Sequence, residues 1–134
     1  MGIYTERGYT LQDAKNACAS EIESWYGGKV LDVFKSSALG SSYTYYCAEA
    51  DQLRMINGKV SNTSVQLICG PTPANPNIDP VYDWKLHTST EAGKVHTDYV
   101  QFSKDVAVQY QTFKQQLAAA TSVEAVETIF YSLV

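Results

Sequence analysis

Residues 81–120, VYDWKLHTSTEAGKVHTDYVQFSKDVAVQYQTFKQQLAAA, contain two hydrophobic patterns in succession and decide the class of fold. The first six residues alternate between apolar and polar side chains, which is the period of a β-strand. One side of this strand is predicted to carry Tyr82, Trp84 and Leu86. The stretch therefore begins as a strand, and further on its apolar residues recur at the spacing of a helix.

A long helix is predicted directly after this strand. Thr88 and Glu91 have the spacing of a capping box, in which two side chains bond the free backbone N–H groups at a helix start. Apolar residues then recur every three or four positions, so we predict one helix over Ser89–Ala119, with Gly93 as a weak point. Its apolar stripe comprises Ala92, Val95, Tyr99, Phe102, Val106, Tyr110, Phe113, Leu117 and Ala120.

The N-terminal part of the chain predicts another amphipathic helix. Thr10 and Asp13 have the spacing of a helix N-cap with an acidic third position. The helix is expected to end at Gly27-Gly28, because glycine tolerates the left-handed C-cap conformation. Its apolar stripe comprises Leu11, Ala14, Cys18, Ile22 and Trp25.

The remaining segments predict short strands, helices and loops. Leu53 and Ile56 are expected to point inward from a helix that Asn57-Gly58 closes. Residues 70–80 hold all four prolines and are expected to form a surface loop, since proline cannot donate to a sheet. The other segments are strand Lys29–Phe34, loop Ser36–Ser42, strand Tyr43–Cys47, helix Ala48–Asn57, strand Val65–Cys69, and a short helix restarted by a second capping box at Thr121–Glu124.

This order of elements predicts an α+β fold. We expect a small antiparallel sheet of about four strands with the helices packed on one face, including the one long helix. The length of 134 residues fits one domain, residues 1–134, with the proline-rich loop on its surface.

Composition argues against several classes of function. The net charge is −4, with 14 acidic and 10 scattered basic residues, so the basic patch typical of nucleic-acid binding is missing. The first seven residues do not have the pattern of a secretion signal, and no apolar run is long enough to predict a transmembrane helix. The three cysteines, Cys18, Cys47 and Cys69, are expected to be reduced and most of them buried, with Cys47 the most plausible exposed thiol.

The sequence offers little for catalysis. His87 and His96 are the only histidines, and structural roles are expected for both, with His96 partly exposed. The three cysteines and His87 lack the short Cys-x-x-Cys spacing of structural zinc sites, so neither a metal site nor a cofactor is expected. Most carboxylates, among them Asp13, Glu91 and Glu124, are expected to cap helices or lie on the surface. We therefore predict that the protein is not an enzyme.

Several short motifs, in their order and spacing, resemble a small uncharacterised domain of phage and prophage tail-fibre loci, which occurs beside or fused to tail-fibre and tail-fibre-assembly proteins. The resemblance covers roughly Thr10–Phe130. Glu91 stands where glutamine is more common in that family, and Tyr43–Cys47 holds more tyrosine than is usual there. The motifs are Phe34 with Ser36–Gly40, Tyr43 and Tyr45, Asp51–Leu53, Trp84 with His87, Thr88 and Glu91, and Ala119–Val126.

The resemblance implies the distal tail of a virus as the context and the fibre polypeptide as the partner. Together with the tyrosine-rich strands and the lack of catalytic motifs, it favours a tail-fibre assembly protein, a chaperone that binds the distal, trimeric fibre in the bacterial cytoplasm. Charge and hydropathy predict neither nucleic acid nor a membrane as partner. A virion subunit that stays at the tail tip or fibre is the alternative, followed by a host-directed inhibitor and a glycan hydrolase. Tyrosine and tryptophan suit protein interfaces. The candidate interface residues are Tyr43, Tyr45, Tyr46 and Trp84, although burial of Trp84 in the core is the favoured alternative for that residue.

Overall fold

A computed structural model describes residues 2–133, and over this range the chain forms five helices and four strands. In chain order these are α1 Ile3–Glu6, α2 Leu11–Val30, β1 Val33–Ser36, β2 Tyr43–Tyr46, α3 Glu49–Ser61, β3 Val65–Pro71, β4 Asp83–His87, α4 Ser89–Ala119 and α5 Val123–Ser132. The predicted bounds of the long helix are confirmed, because α4 begins at Ser89 and ends at Ala119.

These elements form two compact units. The sheet unit is Val30–Lys104, and the helical unit combines the described residues up to Lys29 with those from Asp105 onward. Helix α4 contributes its first part to the sheet unit and its last part to the helical unit. That the whole chain behaves as one domain stays a prediction.

The four strands form one antiparallel sheet in the order β1-β2-β3-β4. One face of this sheet, which we call the covered face, packs against helices α3 and α4. Its core consists of Phe34, Tyr45, Cys47, Leu67 and Cys69 from the strands and their ends, with Met55 of α3 and Val95 of α4. The predicted α+β class, with helices on one face of a four-stranded antiparallel sheet, is confirmed.

The helical unit has its own hydrophobic core. The predicted stripe of α2 points into it, with Ala14, Cys18 and Ile22 buried. These residues pack with Tyr4 of α1, Leu117 of α4, and Val126 and Ile129 of α5. Fully burying a large aliphatic side chain stabilises a fold by about 1.5–3 kcal/mol, so a core of this kind holds short helices that would not form alone.

The predicted helix starts are confirmed, with one shift. The Asp13 N–H donates to Thr10 Oγ1 at 3.1 Å, and the Glu91 N–H donates to Thr88 Oγ1 at 3.1 Å. In the second case the Glu91 carboxylate also accepts from the Thr88 N–H at 2.8 Å, which completes the capping box. At α5 the cap is Ser122 rather than Thr121, because the Ser122 hydroxyl accepts from the Ala125 N–H at 3.1 Å.

The predicted end of the first helix is wrong. Helix α2 continues through Gly27 and Gly28 to Val30, and neither glycine has a positive φ. Residues 29 and 30 are therefore helical, and the strand predicted from Lys29 begins only at Val33. Aromatic packing explains the extension: Trp25 meets Phe113 edge-on at 5.1 Å, and Tyr26 stacks on Tyr110 at 4.3 Å. These contacts hold the last turns of α2 in place and outweigh the low helix propensity of glycine.

The predicted inward face of α3 is also wrong. Leu53 and Ile56 are exposed, whereas Met55 and Gly58 are buried. The helix runs past Asn57-Gly58 and ends at Ser61, followed by the C-cap residue Asn62 in the left-handed conformation with φ 55°. Gly58 is used for close packing, because a Cβ there would lie 2.6 Å from Val65 Cγ1 and 3.0 Å from Ala92 Cβ. Because Gly58 has no Cβ, its side of α3 can approach the sheet closely.

Candidate protein-binding face of the sheet

The structure places the four predicted interface residues on opposite faces of the sheet. Tyr45 pairs with Phe34 and Cys69, and these three side chains share the covered face. Tyr43 lies two residues earlier on the same strand, so it shares that face and packs partly buried at its margin. Tyr46 and Trp84 project from the other face, which we call the open face. Only this second pair can form one exposed surface.

Tyr45 cannot contact a partner in the folded protein, which corrects its selection as an interface residue. Its side chain has no exposed area and its hydroxyl is 2.8 Å from His87 Nε2. His87 Nδ1 lies 2.8 Å from the Lys85 carbonyl oxygen. Because a carbonyl oxygen can only accept, Nδ1 carries the proton and Nε2 accepts from the Tyr45 hydroxyl. Burial lowers the pKa of His87 and raises that of Tyr45, so the pair is a neutral hydrogen-bonded unit of the core.

A row of four side chains crosses the open face. Val33 pairs with Tyr46, and Ile68 pairs with Trp84. Since Tyr45 pairs with Cys69, the next residues, Tyr46 and Ile68, also lie opposite each other and complete the row. Leu86 lies on the same face one pair further along, opposite Gln66. We call Val33, Tyr46, Ile68, Trp84 and Leu86 the apolar row.

The middle and the β4 end of the apolar row are accessible. Tyr46 is 37%, Trp84 50% and Leu86 62% exposed. The favoured alternative for Trp84, burial in the core, is therefore wrong. Neighbouring large apolar side chains left in water are a mark of interaction surfaces, whereas scattered ones are ordinary.

Two contacts hold the aromatic rings of the row in place. The Arg54 guanidinium lies 4.9 Å from the centroid of the Trp84 ring and is paired with the Asp51 carboxylate at 3.1 Å. Tyr46 stacks on Tyr82, with ring centroids 4.5 Å apart. A cation above an exposed ring is worth about 0.5–1 kcal/mol, and a side chain already held in place loses less entropy when a partner binds.

The edge of the sheet beside this row is protected. No further strand pairs with β4 within the described residues. The Trp84 N–H donates to the Asp83 carboxylate at 2.8 Å, so a side chain of the strand itself satisfies one backbone donor. Asp83 and Lys85 add charges along this edge, a common way to discourage another strand from pairing there. These features favour binding through side chains of the open face over strand addition.

None of the three thiols is exposed. Cys18, Cys47 and Cys69 are free, and Cys18 and Cys69 are buried, as predicted. Cys47 was the most plausible exposed thiol, but it is not exposed: its side chain is only 1% accessible and its thiol donates to the Asp32 carbonyl. Burial raises the pKa of Cys47 to about 11, which keeps it a protonated, unreactive thiol near neutral pH.

The remaining titratable groups do not form a metal site. Among residues 2–133, no three His, Cys, Asp or Glu side chains lie close enough together to hold a metal ion. His96 is partly exposed, as predicted. Within the same range, no helix is both long and apolar enough to cross a membrane.

Sequence reasoning missed several residues that shape the open face. Leu86 and Tyr82 were visible in the alternating pattern beside Trp84, and that pattern was the signal that could have added them. Arg54 had no such signal, because its contact with Trp84 joins residues thirty positions apart. The pairing of Tyr46 with Val33 likewise depends on strand register, which short strands do not specify.

Comparisons of this chain with models of protein families, with curated proteins and with solved structures found no match. The fold and the candidate site thus describe an α+β protein with one covered and one open sheet face. What it binds has to be inferred from the open face itself together with the resemblance described above.

Proposed function

We propose that this protein is a phage tail-fibre assembly factor that holds a tail-fibre polypeptide against the open face of its sheet. The apolar row is the observation that carries the proposal, because it presents Tyr46, Trp84 and Leu86 to solvent side by side. Tryptophan and tyrosine are the side chains most enriched among the residues that dominate protein-binding energies. The identity of the partner comes from the resemblance to the tail-fibre domain.

The physical need for such a factor follows from how trimeric fibres form. Their chains pass through states with exposed apolar surface and unpaired strands, which aggregate readily. A rigid row of aromatic and aliphatic side chains can cover that surface until the trimer closes. Since the edge of β4 carries Asp83 and Lys85, binding proceeds through side chains rather than through an added strand.

Co-expression with the adjacent fibre gene tests the assembly role. We expect the yield of soluble trimeric fibre to fall when this protein is omitted, and the two chains to co-purify when both are present. Unchanged fibre yield and trimer content without this protein would refute the role. A protein that also remains in purified virions, as seen by peptide mass spectrometry, would be a structural subunit of the tail rather than a transient factor.

Two variants test whether the apolar row is the contact surface. Leu86→Ser removes an exposed leucine from the row, and we expect the affinity for the fibre to fall about tenfold or more. Val60→Ser is the matched control, because Val60 is 76% exposed on α3 but lies outside the row. If both variants bind the fibre equally well, the open face is not the binding surface.

A further inference from the structure

A groove lies between the proline-rich loop and the β1–β2 end of the open face. It has a volume of about 560 Å³, within the range of small-molecule binding sites. Val33, Lys35 and Thr44 line it from the strands. Most residues between Thr72 and Pro80, together with Tyr82, line it from the loop side. The groove shares Val33 with the apolar row, and its other lining residues lie outside that row.

The loop that forms the outer wall is anchored at both ends. The Thr72 N–H donates to the Ser42 carbonyl at 3.0 Å. At the other end the backbone of Val81 lies against Gly70, where a Cβ would come within 2.5 Å of the Val81 carbonyl oxygen. Between these points Asn75 forms a local turn, accepting from the N–H groups of Asn77 and Ile78. With three of the four prolines between Thr72 and Val81, the groove is largely preformed.

Three hydroxyl groups form a chain on one wall of the groove. Ser42 Oγ donates to Thr72 Oγ1 at 2.9 Å, and Thr44 Oγ1 lies 3.0 Å from Thr72 Oγ1. Each hydroxyl has one hydrogen, so the two bonds use two of the three hydrogens. The third remains on Thr44 or Thr72, both of which line the groove. Thr44 is only 3% exposed, so Thr72 is the more accessible of the two hydroxyls.

Acceptors, a cation and an aromatic ring complete the lining. Asp32 and Asp79 supply carboxylates, and Lys35 supplies an ammonium group. The pKa of Tyr82 is raised by burial first and then by Tyr46, Asp79 and Asp32. Tyr82 also stacks on Tyr46, which fixes the orientation of its ring.

We propose that this groove binds a neutral saccharide. A sugar hydroxyl donates and accepts at once, which matches a wall that offers a hydroxyl hydrogen, the Lys35 ammonium group and the Asp79 carboxylate. The C–H face of a pyranose ring packs on an aromatic ring such as that of Tyr82 and on apolar side chains such as Val33 and Ile78. A cationic ligand would leave the hydroxyl hydrogen and the Lys35 ammonium group without an acceptor. An anionic ligand would be repelled by the carboxylates of Asp32 and Asp79.

Amide chemical shifts of the full-length protein test the proposal. Glucose, galactose, N-acetylglucosamine and rhamnose are each titrated to about 50 mM, above the millimolar Kd expected of so small a ligand. We expect at least one of them to shift the amides of Thr44, Thr72 and Tyr82 saturably. Methylguanidinium chloride is titrated in parallel as a cationic probe, and shifts of these amides with it alone would overturn the proposal, as would no shift with any of the four sugars.

Variants separate this site from the open face. Thr72→Val removes the central hydroxyl of the chain, and we expect the Kd for the sugar to rise about three- to tenfold. Thr97→Val is the matched control, because the Thr97 hydroxyl donates to the Gly93 carbonyl within α4. If Thr72→Val proves unfolded, Asp79→Asn tests the same wall through an exposed loop residue. An unchanged Kd in the folded groove variant overturns the proposal, whereas Trp84→Ala should impair fibre binding and leave sugar binding intact.

Discussion

The buried pair of Tyr45 and His87 shows what a single hydroxyl contributes to the sheet unit. Tyr45→Phe leaves His87 Nε2 without a donor in a site closed to water, because both residues are fully buried. An unsatisfied buried polar atom costs about 1–3 kcal/mol, so we expect the free energy of unfolding to fall by that amount in urea denaturation. Tyr131→Phe is the matched control: the exposed Tyr131 hydroxyl accepts from the Ile3 N–H, and its loss should cost well under half as much.

The protonation of His87 should make stability depend on pH. In the folded protein burial lowers the pKa of His87, outweighing the opposing effects of the Lys85 carbonyl and Glu91. The unfolded chain takes up a proton near the ordinary histidine pKa of about 6.5. Unfolding therefore binds more protons as the pH falls below about 6.5, and stability is lost there and fully present above it.

Chemical denaturation at a series of pH values between neutrality and mildly acid conditions checks this dependence. We expect the free energy of unfolding to fall with decreasing pH, by at most about 1.4 kcal/mol per pH unit for one proton. Because burial also lowers the pKa of His96, the comparison uses His96→Gln as background. If stability in that background is flat between neutral pH and mildly acid pH, His87 is not held neutral by the fold.

Glu127 plays a corresponding role in the helical unit. Its carboxylate accepts from the Tyr4 N–H at 2.9 Å, the Thr5 N–H at 3.0 Å and the Thr5 hydroxyl at 2.6 Å. These bonds, led by that of the Thr5 hydroxyl, lower the pKa of Glu127. A carboxylate from α5 thus satisfies free backbone donors at the start of α1, a helix too short to hold itself.

Replacing this carboxylate should loosen the N-terminal segment. Glu127→Gln keeps the size of the side chain and removes its charge, so we expect faster amide exchange at Tyr4 and Thr5 and faster trypsin cleavage after the exposed Arg7. Glu124→Gln, an exposed glutamate on the same helix, should change neither rate. Equal cleavage of the two variants would contradict the anchoring role of Glu127.

Two helical glycines are expected to respond in opposite ways to replacement by alanine. Gly27 lies in a right-handed helical conformation with open space around it, and a Cβ there would meet nothing within 4 Å. We expect Gly27→Ala to stabilise the protein by about 0.5–1 kcal/mol, because alanine restricts the unfolded chain and favours the helix. Gly58→Ala should instead destabilise it by about 1–3 kcal/mol, since its Cβ would press on Val65 and Ala92. Thermal melts of the two variants provide the comparison, and a shift of the same sign in both would refute it.

The sequence predicts an element well when the residues that determine its bounds lie within the element itself. The long helix was predicted to the residue, because its capping box and its apolar stripe both lie within the helix itself. The end of α2 was missed because it depends on Phe113 and Tyr110, which are distant in sequence. The candidate site follows the same rule: the exposure of Trp84 depends on which sheet face the helices cover, and no local pattern specifies that choice.

At the scale of the whole molecule, helix α4 is the element that both units share. It is 31 residues long and supplies Val95 to the core of the sheet unit and Leu117 to that of the helical unit. If the sheet unit unfolds, the first part of α4 loses the packing that stabilises it and unfolds, because isolated helices are marginal. Fraying then reaches the second part of α4, whose Leu117 packs in the core of the helical unit. We therefore expect the two units to unfold together, as one domain.

The two tryptophans make this expectation measurable, because Trp25 lies in the helical unit and Trp84 in the sheet unit. In a Trp84→Phe background the fluorescence reports on the helical unit, and in a Trp25→Phe background it reports on the sheet unit. Adding Gly58→Ala perturbs the sheet unit alone, yet in a cooperative protein it lowers the unfolding midpoint seen by Trp25 as much as the midpoint seen by Trp84. A midpoint that moves for Trp84 and stays fixed for Trp25 would show two independent domains. Using each background as its own reference removes the effect of the tryptophan replacement itself.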